Sequence, residues 1–157
     1  MNDELLKLDN QLCFRLYSVS KKMTKAYMPL LKEYNLTYPQ YIVLLILFEH
    51  KELDFKELSN IIDLKTGTLT PILQNLEKNE YIVKEVNKSD KRKITISLSQ
   101  KGIEVKKQIV NVPINLQDKL QVTMSMYTNL VKELDELKEM LEQIGEVKEW
   151  KKLHLQN

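Results

Sequence analysis

Between Asp54 and Leu98 the apolar residues switch from helical to strand spacing, and this switch restricts the possible folds more than any other feature. Asp54 is a suitable N-cap for a short amphipathic segment, FKELSNIID. After a tight turn at LKTG, a second amphipathic segment runs from Thr66 to Asn79. Two short helices joined by a few residues form a helix-turn-helix unit, whose second helix normally enters a DNA major groove. The apolar positions are Phe55, Leu58 and Ile62 in the first segment, and Leu69, Ile72, Leu73 and Leu76 in the second.

The two segments that follow have the composition of a β-hairpin. Residues 81–86 and 93–98 are rich in β-branched and aromatic residues, and they flank a polar turn at residues 87–92. A hairpin placed directly after a helix-turn-helix forms a wing. Basic residues outnumber acidic ones by seven to four between Lys65 and Lys93, and acidic residues prevail by nine to eight after Gly102. Positive charge therefore concentrates where DNA would bind.

The flanking segments have apolar residues at helical spacing. The sequence therefore predicts a mainly α (α+β) winged helix-turn-helix fold with long N- and C-terminal dimerisation helices. One long helix or two abutting helices are expected from Leu5 to Asn35, and a strongly apolar helix starts after Thr37. Ser99 caps a helix that is expected to break at Pro113. The final helix carries a coiled-coil-like seam that needs a partner helix. The expected organisation is a sensor and dimerisation segment at 1–36, a DNA-binding region at 37–102 and a dimerisation segment at 103–157. The seam consists of Leu130, Leu134, Leu137, Leu141 and Ile144.

Composition excludes several classes of site. The single cysteine, Cys13, excludes an internal disulfide and a cysteine-based zinc site, and leaves a small buried residue or a reactive thiol. The two histidines are isolated and the three glycines are too dispersed for a phosphate loop, so we predict neither a cofactor nor a metal, and no enzyme. An acidic N-terminus and the absence of a long apolar run lead us to expect a cytoplasmic protein without membrane contact.

Four motifs between Leu8 and Gly102 resemble the MarR family of transcription regulators, and within it the organic-hydroperoxide regulators of the OhrR type, related to MgrA and SarZ. The motifs are QLCFRLY at 11–17, LTYPQY at 36–41, TGTLTPIL at 66–73 and the wing SDKRKITISLSQKG at 89–102. The resemblance implies a homodimer, joined by its terminal helices, that binds a pseudo-palindromic operator on double-stranded DNA with two recognition helices and two wings.

The same resemblance implies a redox sensor at Cys13. Tyrosines at the places of Tyr27 and Tyr38 reach the thiol from the other subunit in the OhrR type, and Tyr17 occupies a further position near it. Because the chain has no second cysteine, it resembles the one-cysteine subclass, in which a small cellular thiol caps the oxidised sulfur as a mixed disulfide. The implied function is a repressor that leaves its operator when an organic hydroperoxide oxidises Cys13. Hydrogen bonds from tyrosine hydroxyls would favour the reactive thiolate.

Candidate DNA contacts fall on the second helix and on the wing. Threonine hydroxyls at the helix start suit phosphate contacts, although they are also common capping residues, and Gln74 and Asn75 are suited to adenine edges. Lys78 is expected to meet a phosphate or to remain solvated. The Arg92 side chain can enter the narrow minor groove of A·T-rich DNA. In the family that this chain resembles, an Asp-x-Arg pair at this place makes that contact, and the aspartate holds the arginine; here the pair is Asp90 and Arg92. The full set of expected contacts is Thr66, Thr68, Thr70, Gln74, Asn75, Lys78, Lys88, Asp90, Lys91 and Arg92.

Three other interpretations of the function stay open from the sequence. A regulator of the same fold would respond to a small phenolic ligand, with Cys13 incidental. A thiol peroxidase would use Cys13 catalytically, but it would not require a helix-turn-helix and a basic wing. A purely structural helical dimer would not require the positive charge on the wing.

Overall fold

The computed structural model describes residues 3–86 and 93–146, and the chain divides into two compact units at residues 1–116 and 117–157. The helices are α1 (Leu12–Leu31), α2 (Tyr38–His50), α3 (Phe55–Ile62), α4 (Thr66–Lys78), α5 (Gln100–Ile109), α6 (Val112–Leu120) and α7 (Met124–Glu146). The strands are β1 (Glu52–Asp54), β2 (Ile82–Val86) and β3 (Ile94–Leu98). This composition confirms the predicted mainly helical winged helix-turn-helix class, while the predicted three-segment organisation stays a prediction.

The N-terminal segment differs from the predicted long helix. Two 3₁₀ turns, Asp3–Leu6 and Leu8–Asn10, precede α1, so regular α-helix begins only at Leu12. Polar side chains bind backbone carbonyls here: the Asn10 amide donates to the Glu4 carbonyl at 2.8 Å and the Gln11 amide to the Leu5 carbonyl at 2.5 Å. Such side-chain bonds compete with the helical pattern, which accounts for the error.

The apolar helix α2 lies at the centre of the first unit. The Gln40 side chain accepts a hydrogen bond from the Thr37 backbone amide at 2.8 Å, which fixes the start of the helix as predicted. The helix contacts α1, α3, α4, α5 and the sheet, so it is apolar on nearly every face. Its buried residues are Gln40, Tyr41, Val43, Leu44, Ile46 and Leu47.

The helix-turn-helix unit consists of α3 and α4. Asp54 caps α3 as predicted: its carboxylate accepts from the Glu57 amide at 2.8 Å, and the Glu57 carboxylate accepts from the Asp54 amide at 2.9 Å. The helix ends at Ile62, and its C-cap residue, Asp63, has a φ of 53° that turns the chain toward α4. A 13-residue α4 starts at Thr66 with Lys65 as N-cap, and it continues through Pro71.

The sheet has the order β1-β3-β2 and is antiparallel throughout. The predicted hairpin is confirmed, with Ile82 opposite Leu98 and Val86 opposite Ile94. Its tip, which carries Lys88, Asp90, Lys91 and Arg92, lies outside the described residues. The sequence prediction missed β1, because three residues are too few to show strand periodicity.

The C-terminal helices follow the predicted order with one correction. Ser99 caps α5 by accepting a hydrogen bond from the Gly102 amide at 3.0 Å, as predicted. The break after α5 falls at residues 110–111, and Pro113 lies in the first turn of a separate helix, α6, where its missing N–H is tolerated. Of the seam residues, Leu130, Leu134, Leu141 and Ile144 are about half exposed on α7. Over residues 3–86 and 93–146, no helix is both long and apolar enough to cross a membrane.

Candidate functional site

The two faces of α4 differ sharply in burial. Leu69, Leu73 and Leu76 are buried, and the opposite face is exposed along the whole helix. The Asn75 side chain donates to the Pro71 carbonyl at 2.9 Å, which holds it along its own helix. A helix fixed by one buried face and presenting small and polar groups on the other can enter a groove. The exposed stripe consists of Gly67, Pro71, Gln74, Asn75 and Lys78.

The threonines at the start of α4 are not its N-cap, since Lys65 holds that position. Thr66 and Thr68 are exposed, whereas Thr70 is half-buried. Thr66 and Thr70 line a hollow of about 410 Å³ together with the lysines Lys56 and Lys93. The hollow thus joins the starts of α3 and α4 to the base of the wing. The sequence prediction missed Lys56, whose spacing on α3 carries no signal of this position.

Three carboxylates near this surface, those of Glu77, Asp54 and Glu57, already have partners. Glu77 is the only acidic residue of α4, and its carboxylate lies 2.5 Å from the Lys84 ammonium on β2. Asp54 and Glu57 accept backbone amides in the capping box of α3. Lys65 and Lys78 are exposed at opposite ends of α4, so the surface offers cations at both ends of the helix. This distribution suits a polyanion.

Cys13 is exposed near the start of α1. Tyr17 lies one helical turn further along and is also exposed, with the Lys21 ammonium 5.2 Å from its ring centroid. The sulfur is therefore accessible to a small oxidant within one protomer.

Tyr27 and Tyr38 belong to a cluster of three tyrosines between α1 and α2. The ring centroids of Tyr27 and Tyr38 are 4.9 Å apart, and the Tyr41 ring lies 5.7 Å from Tyr27 and 6.4 Å from Tyr38. Burial raises the pKa of Tyr41 to about 12, and electrostatic interactions with Tyr27 and Tyr38 add to the shift. The sequence prediction placed Tyr41 in the core and missed its place beside the other two, which the spacing of Tyr38 and Tyr41 on one helix face would have indicated.

One protomer does not bring Cys13 and this cluster together along α1. Cys13 and Tyr27 are 14 residues apart on one helix, which corresponds to roughly 21 Å at the α-helical rise. The predicted approach of Tyr27 and Tyr38 to Cys13 thus requires a second subunit and stays a prediction.

Beside Tyr38 lies a largely apolar hollow of about 650 Å³ between the end of α1 and the start of α2. One cation, Lys32, lines it. Its other lining residues are Thr24, Met28, Pro29, Asn35, Leu36, Thr37, Tyr38 and Pro39.

Comparison with known proteins agrees with this arrangement. A family profile described as transcriptional regulator SarA/Rot matches residues 25–109. The organic hydroperoxide resistance transcriptional regulator of Bacillus subtilis is 44% identical over 108 residues, which are 69% of this chain and 74% of that protein. The regulator SarZ of Staphylococcus epidermidis is 36% identical over 127 residues, covering 81% of this chain and 86% of SarZ.

The solved structures of AbfR are also similar. Reduced AbfR bound to DNA superimposes with a TM-score of 0.80 at 32% identity, covering 93% of this chain and all of that one. Overoxidized AbfR bound to DNA gives a TM-score of 0.72 at 30% identity, covering 90% of this chain and 99% of that one. The two curated relatives are named as transcription regulators and not as enzymes.

These matches confirm the resemblance that the sequence motifs predicted. The chain therefore belongs to the SarA/Rot family of transcriptional regulators, and it is similar to the organic hydroperoxide resistance regulator of Bacillus subtilis and to SarZ.

Proposed function

We propose that this chain is a dimeric repressor that binds double-stranded DNA and is released when Cys13 is oxidised. The observation that carries the DNA-binding part is the face of α4 opposite Leu69, Leu73 and Leu76, which is exposed over the whole helix and has cations at both ends. We call α4 the recognition helix from here on. Reduced AbfR, similar over nearly its whole length, is bound to DNA in its solved structure, which supports the same partner for this chain.

Two further surfaces support a homodimer. Leu5, Leu8 and Leu12 are more than half exposed at the N-terminus, and the α7 seam is about half exposed. Exposed apolar residues in these amounts indicate an interface. A twofold dimer would place two recognition helices about one DNA turn apart, ~34 Å, on a pseudo-palindromic operator. The A·T-rich preference proposed for this operator depends on Arg92 entering a narrow minor groove beside Asp90.

The exposed sulfur of Cys13 supports the redox part of the proposal. Its thiolate attacks the distal oxygen of an organic hydroperoxide, the O–O bond breaks, and the alkoxide leaves and takes up a proton, giving sulfenic acid and an alcohol. A small cellular thiol then attacks the sulfenic sulfur and releases water, giving a mixed disulfide. Tyr27 and Tyr38 of the partner subunit, with Tyr17, would line the pocket that the bulky disulfide no longer fits.

The test compares operator binding by the protein with Cys13 as the thiol, as the sulfenic acid and as the mixed disulfide. Duplexes are first selected from a randomised library by the reduced protein. Binding is then measured before and after one equivalent of cumene hydroperoxide, with and without a small thiol, and mass spectrometry identifies the species at Cys13. The mixed disulfide is expected to bind at least about a hundredfold more weakly, which corresponds to roughly 3 kcal/mol. Because overoxidized AbfR is also bound to DNA in its structure, the sulfinic and sulfonic forms are measured separately.

Cys13→Ser is the matched control, since serine keeps the size and has no oxidisable sulfur. It is expected to bind normally and to ignore the oxidant, and Tyr27→Phe and Tyr38→Phe are expected to slow the response without abolishing binding. If Cys13 carries the mixed disulfide and affinity is unchanged, the thiol is reactive but is not the switch.

A second candidate function is regulation by a small ligand in the apolar hollow beside Tyr38. Its volume of about 650 Å³ and its single cation, Lys32, suit a small aromatic or phenolic compound. Protection from thermal unfolding by such a compound, together with release of Cys13→Ser from its operator when the compound is added, would favour this function over oxidation.

A further inference from the structure

We propose that Gly67 is a specificity-determining residue of the recognition helix. Its bare backbone lets the helix approach base edges closely, and its carbonyl oxygen accepts a hydrogen bond from the exocyclic amino group of a cytosine or an adenine. This inference rests on the proposed DNA-binding function and concerns the same surface.

Nothing within the described protomer explains a glycine at this position. Glycine is a poorer helix residue than alanine, by roughly 0.5–1 kcal/mol in the middle of a helix, and Gly67 lies in the first turn of α4. A Cβ added at Gly67 would meet no described atom within 4 Å, and the residue does not have a positive φ. By contrast, a Cβ at Gly102 would lie 2.1 Å from the Tyr81 carbonyl oxygen, so the fold does require that glycine. The space in front of Gly67 is open on the exposed face of α4, where a bound molecule can use it.

Pro71 supplies the second observation at the same place. It lies inside α4, one turn after Gly67, and it is exposed. Proline has no N–H, so the helical hydrogen bond from residue 71 to the Gly67 carbonyl cannot form, and the ring pushes that carbonyl away from the helix axis. The Gly67 carbonyl, on the same stripe as Gln74, therefore lacks its usual helical donor.

The chemistry of the major groove identifies the partner of this acceptor. The donors on its floor are the exocyclic amino groups of adenine and cytosine, so a carbonyl selects these two bases. The exposed stripe carries no carboxylate, because Glu77 lies off it and is paired with Lys84 at 2.5 Å. A close approach of the Gly67 backbone to the bases therefore brings no acidic side chain against the phosphates.

Gly67→Ala tests the close approach. The variant adds one methyl group where the protomer has room, so its melting temperature is expected to equal or exceed that of the wild type. Its affinity for a duplex selected by the wild-type protein is expected to fall by about tenfold or more, the size of one lost specific base contact. Affinity for a duplex of scrambled sequence is expected to change much less.

Pro71→Ala tests the carbonyl, because it restores the N–H that engages the Gly67 oxygen within the helix. Each adenine and cytosine of one operator half-site is replaced in turn by an analogue that lacks the exocyclic amine. At the base that contacts the Gly67 carbonyl, removing the amine is expected to lower the affinity of the wild type about fivefold or more and to leave the affinity of Pro71→Ala unchanged. Gln74→Ala is the matched control, since its affinity is expected to be insensitive to amine removal at a different base, the one that Gln74 contacts.

The outcomes separate this inference from the proposed function. A wild-type protein that selects no duplex overturns both. If the wild type selects an operator and Gly67→Ala binds it equally well, the close approach is wrong while the DNA-binding function stands. If Pro71→Ala and the wild type respond alike to every amine removed, the Gly67 carbonyl is not a base-reading acceptor and the inference fails.

Discussion

At the scale of single residues, Gly102 shows how one backbone contact holds the wing against α5. A Cβ at this position would lie 2.1 Å from the Tyr81 carbonyl oxygen and 3.2 Å from a methyl group of Leu98. The same carbonyl accepts a hydrogen bond from the Ser99 amide at 3.1 Å. Any side chain at residue 102 must therefore separate α5 from the start of β2.

We predict that Gly102→Ala lowers the free energy of unfolding by about 1–3 kcal/mol, the usual cost of inserting a group into a packed site. Chemical denaturation followed by circular dichroism measures this change. Gly67→Ala is the control, because the same substitution there meets open space and is expected to be neutral or stabilising. Equal stabilities of the two variants would contradict the close packing of α5 on β2.

Arg92 and Lys78 test the two proposed kinds of DNA contact. If Arg92 enters a minor groove, Arg92→Ala is expected to weaken operator binding by about 1–3 kcal/mol and to relax the preference for A·T-rich flanks. If Lys78 contacts a phosphate, Lys78→Ala is expected to weaken binding to all sequences and to flatten its salt dependence. Titrations at several salt concentrations on operators with A·T-rich and G·C-rich flanks measure both effects. Wild-type behaviour of Arg92→Ala would contradict the wing assignment.

At the scale of elements, two hydrogen bonds of tyrosine hydroxyls join the turn after α1 to the start of the wing and to α5. The Tyr81 hydroxyl, at the start of the wing, donates to the Tyr34 carbonyl at 2.7 Å, and the Tyr34 hydroxyl donates to the Gln108 carbonyl at 3.4 Å. Tyr81 is buried, and burial raises its pKa. The 3₁₀ turn Lys32–Tyr34, which follows α1, is thus bonded directly to the residue before β2 and to α5.

We predict that Tyr81→Phe lowers the free energy of unfolding by about 0.5–1.5 kcal/mol, since it removes one hydrogen bond and keeps the ring. Tyr34→Phe is the control, because its bond is longer and more exposed, and a smaller loss is expected. Equilibrium denaturation of the three proteins gives the comparison. If Tyr34→Phe loses more free energy of unfolding than Tyr81→Phe, the shorter hydrogen bond of Tyr81 does not stabilise the fold more than the longer one of Tyr34.

The packing of α1 on α2 predicts a pH dependence. Burial raises the pKa of Tyr41 to about 12 from an ordinary value of 10.0. Because the folded state holds the phenol neutral, its contribution to stability is complete below about pH 10 and is lost as the pH rises toward about 12. We therefore expect the free energy of unfolding to fall across this window. Denaturation at a series of pH values, with Tyr41→Phe as the comparison, measures the slope, which is expected to be shallower in the variant.

Regular elements could be predicted from the sequence where local chemistry decides them. Asp54 and Ser99 cap their helices as their positions indicated, and the β2–β3 hairpin follows from its β-branched residues. The start of α4 could not be decided, because Thr70 followed by Pro71 is itself a good helix start. In the structure the helix begins four residues earlier, at Thr66, and Leu69 in this first turn is buried. The Tyr27 and Tyr38 contact joins two helices, so periodicity within either one does not reveal it.

At the scale of the whole molecule, the proposed dimer depends on the apolar side chains that the terminal segments leave exposed. The seam on α7 leaves Leu130, Leu134, Leu141 and Ile144 about half exposed, although such residues are usually buried. The sequence predicted the seam from its spacing alone, and the exposure on α7 is what a surface awaiting a partner would show.

We predict a dimer at micromolar concentration, and Leu134→Glu is expected to weaken it because the substitution places a charge in the seam. Gln143→Glu is the matched control, since it adds the same charge on the opposite face of α7. Light scattering measures the mass of each protein, and circular dichroism checks that it remains folded. A folded, monomeric Leu134→Glu is expected to lose affinity for a two-half-site operator and to retain its weaker affinity for a single half-site, because only the pairing of two recognition helices is removed. A wild-type protein that is monomeric in light scattering yet binds the full operator with undiminished affinity would contradict this architecture.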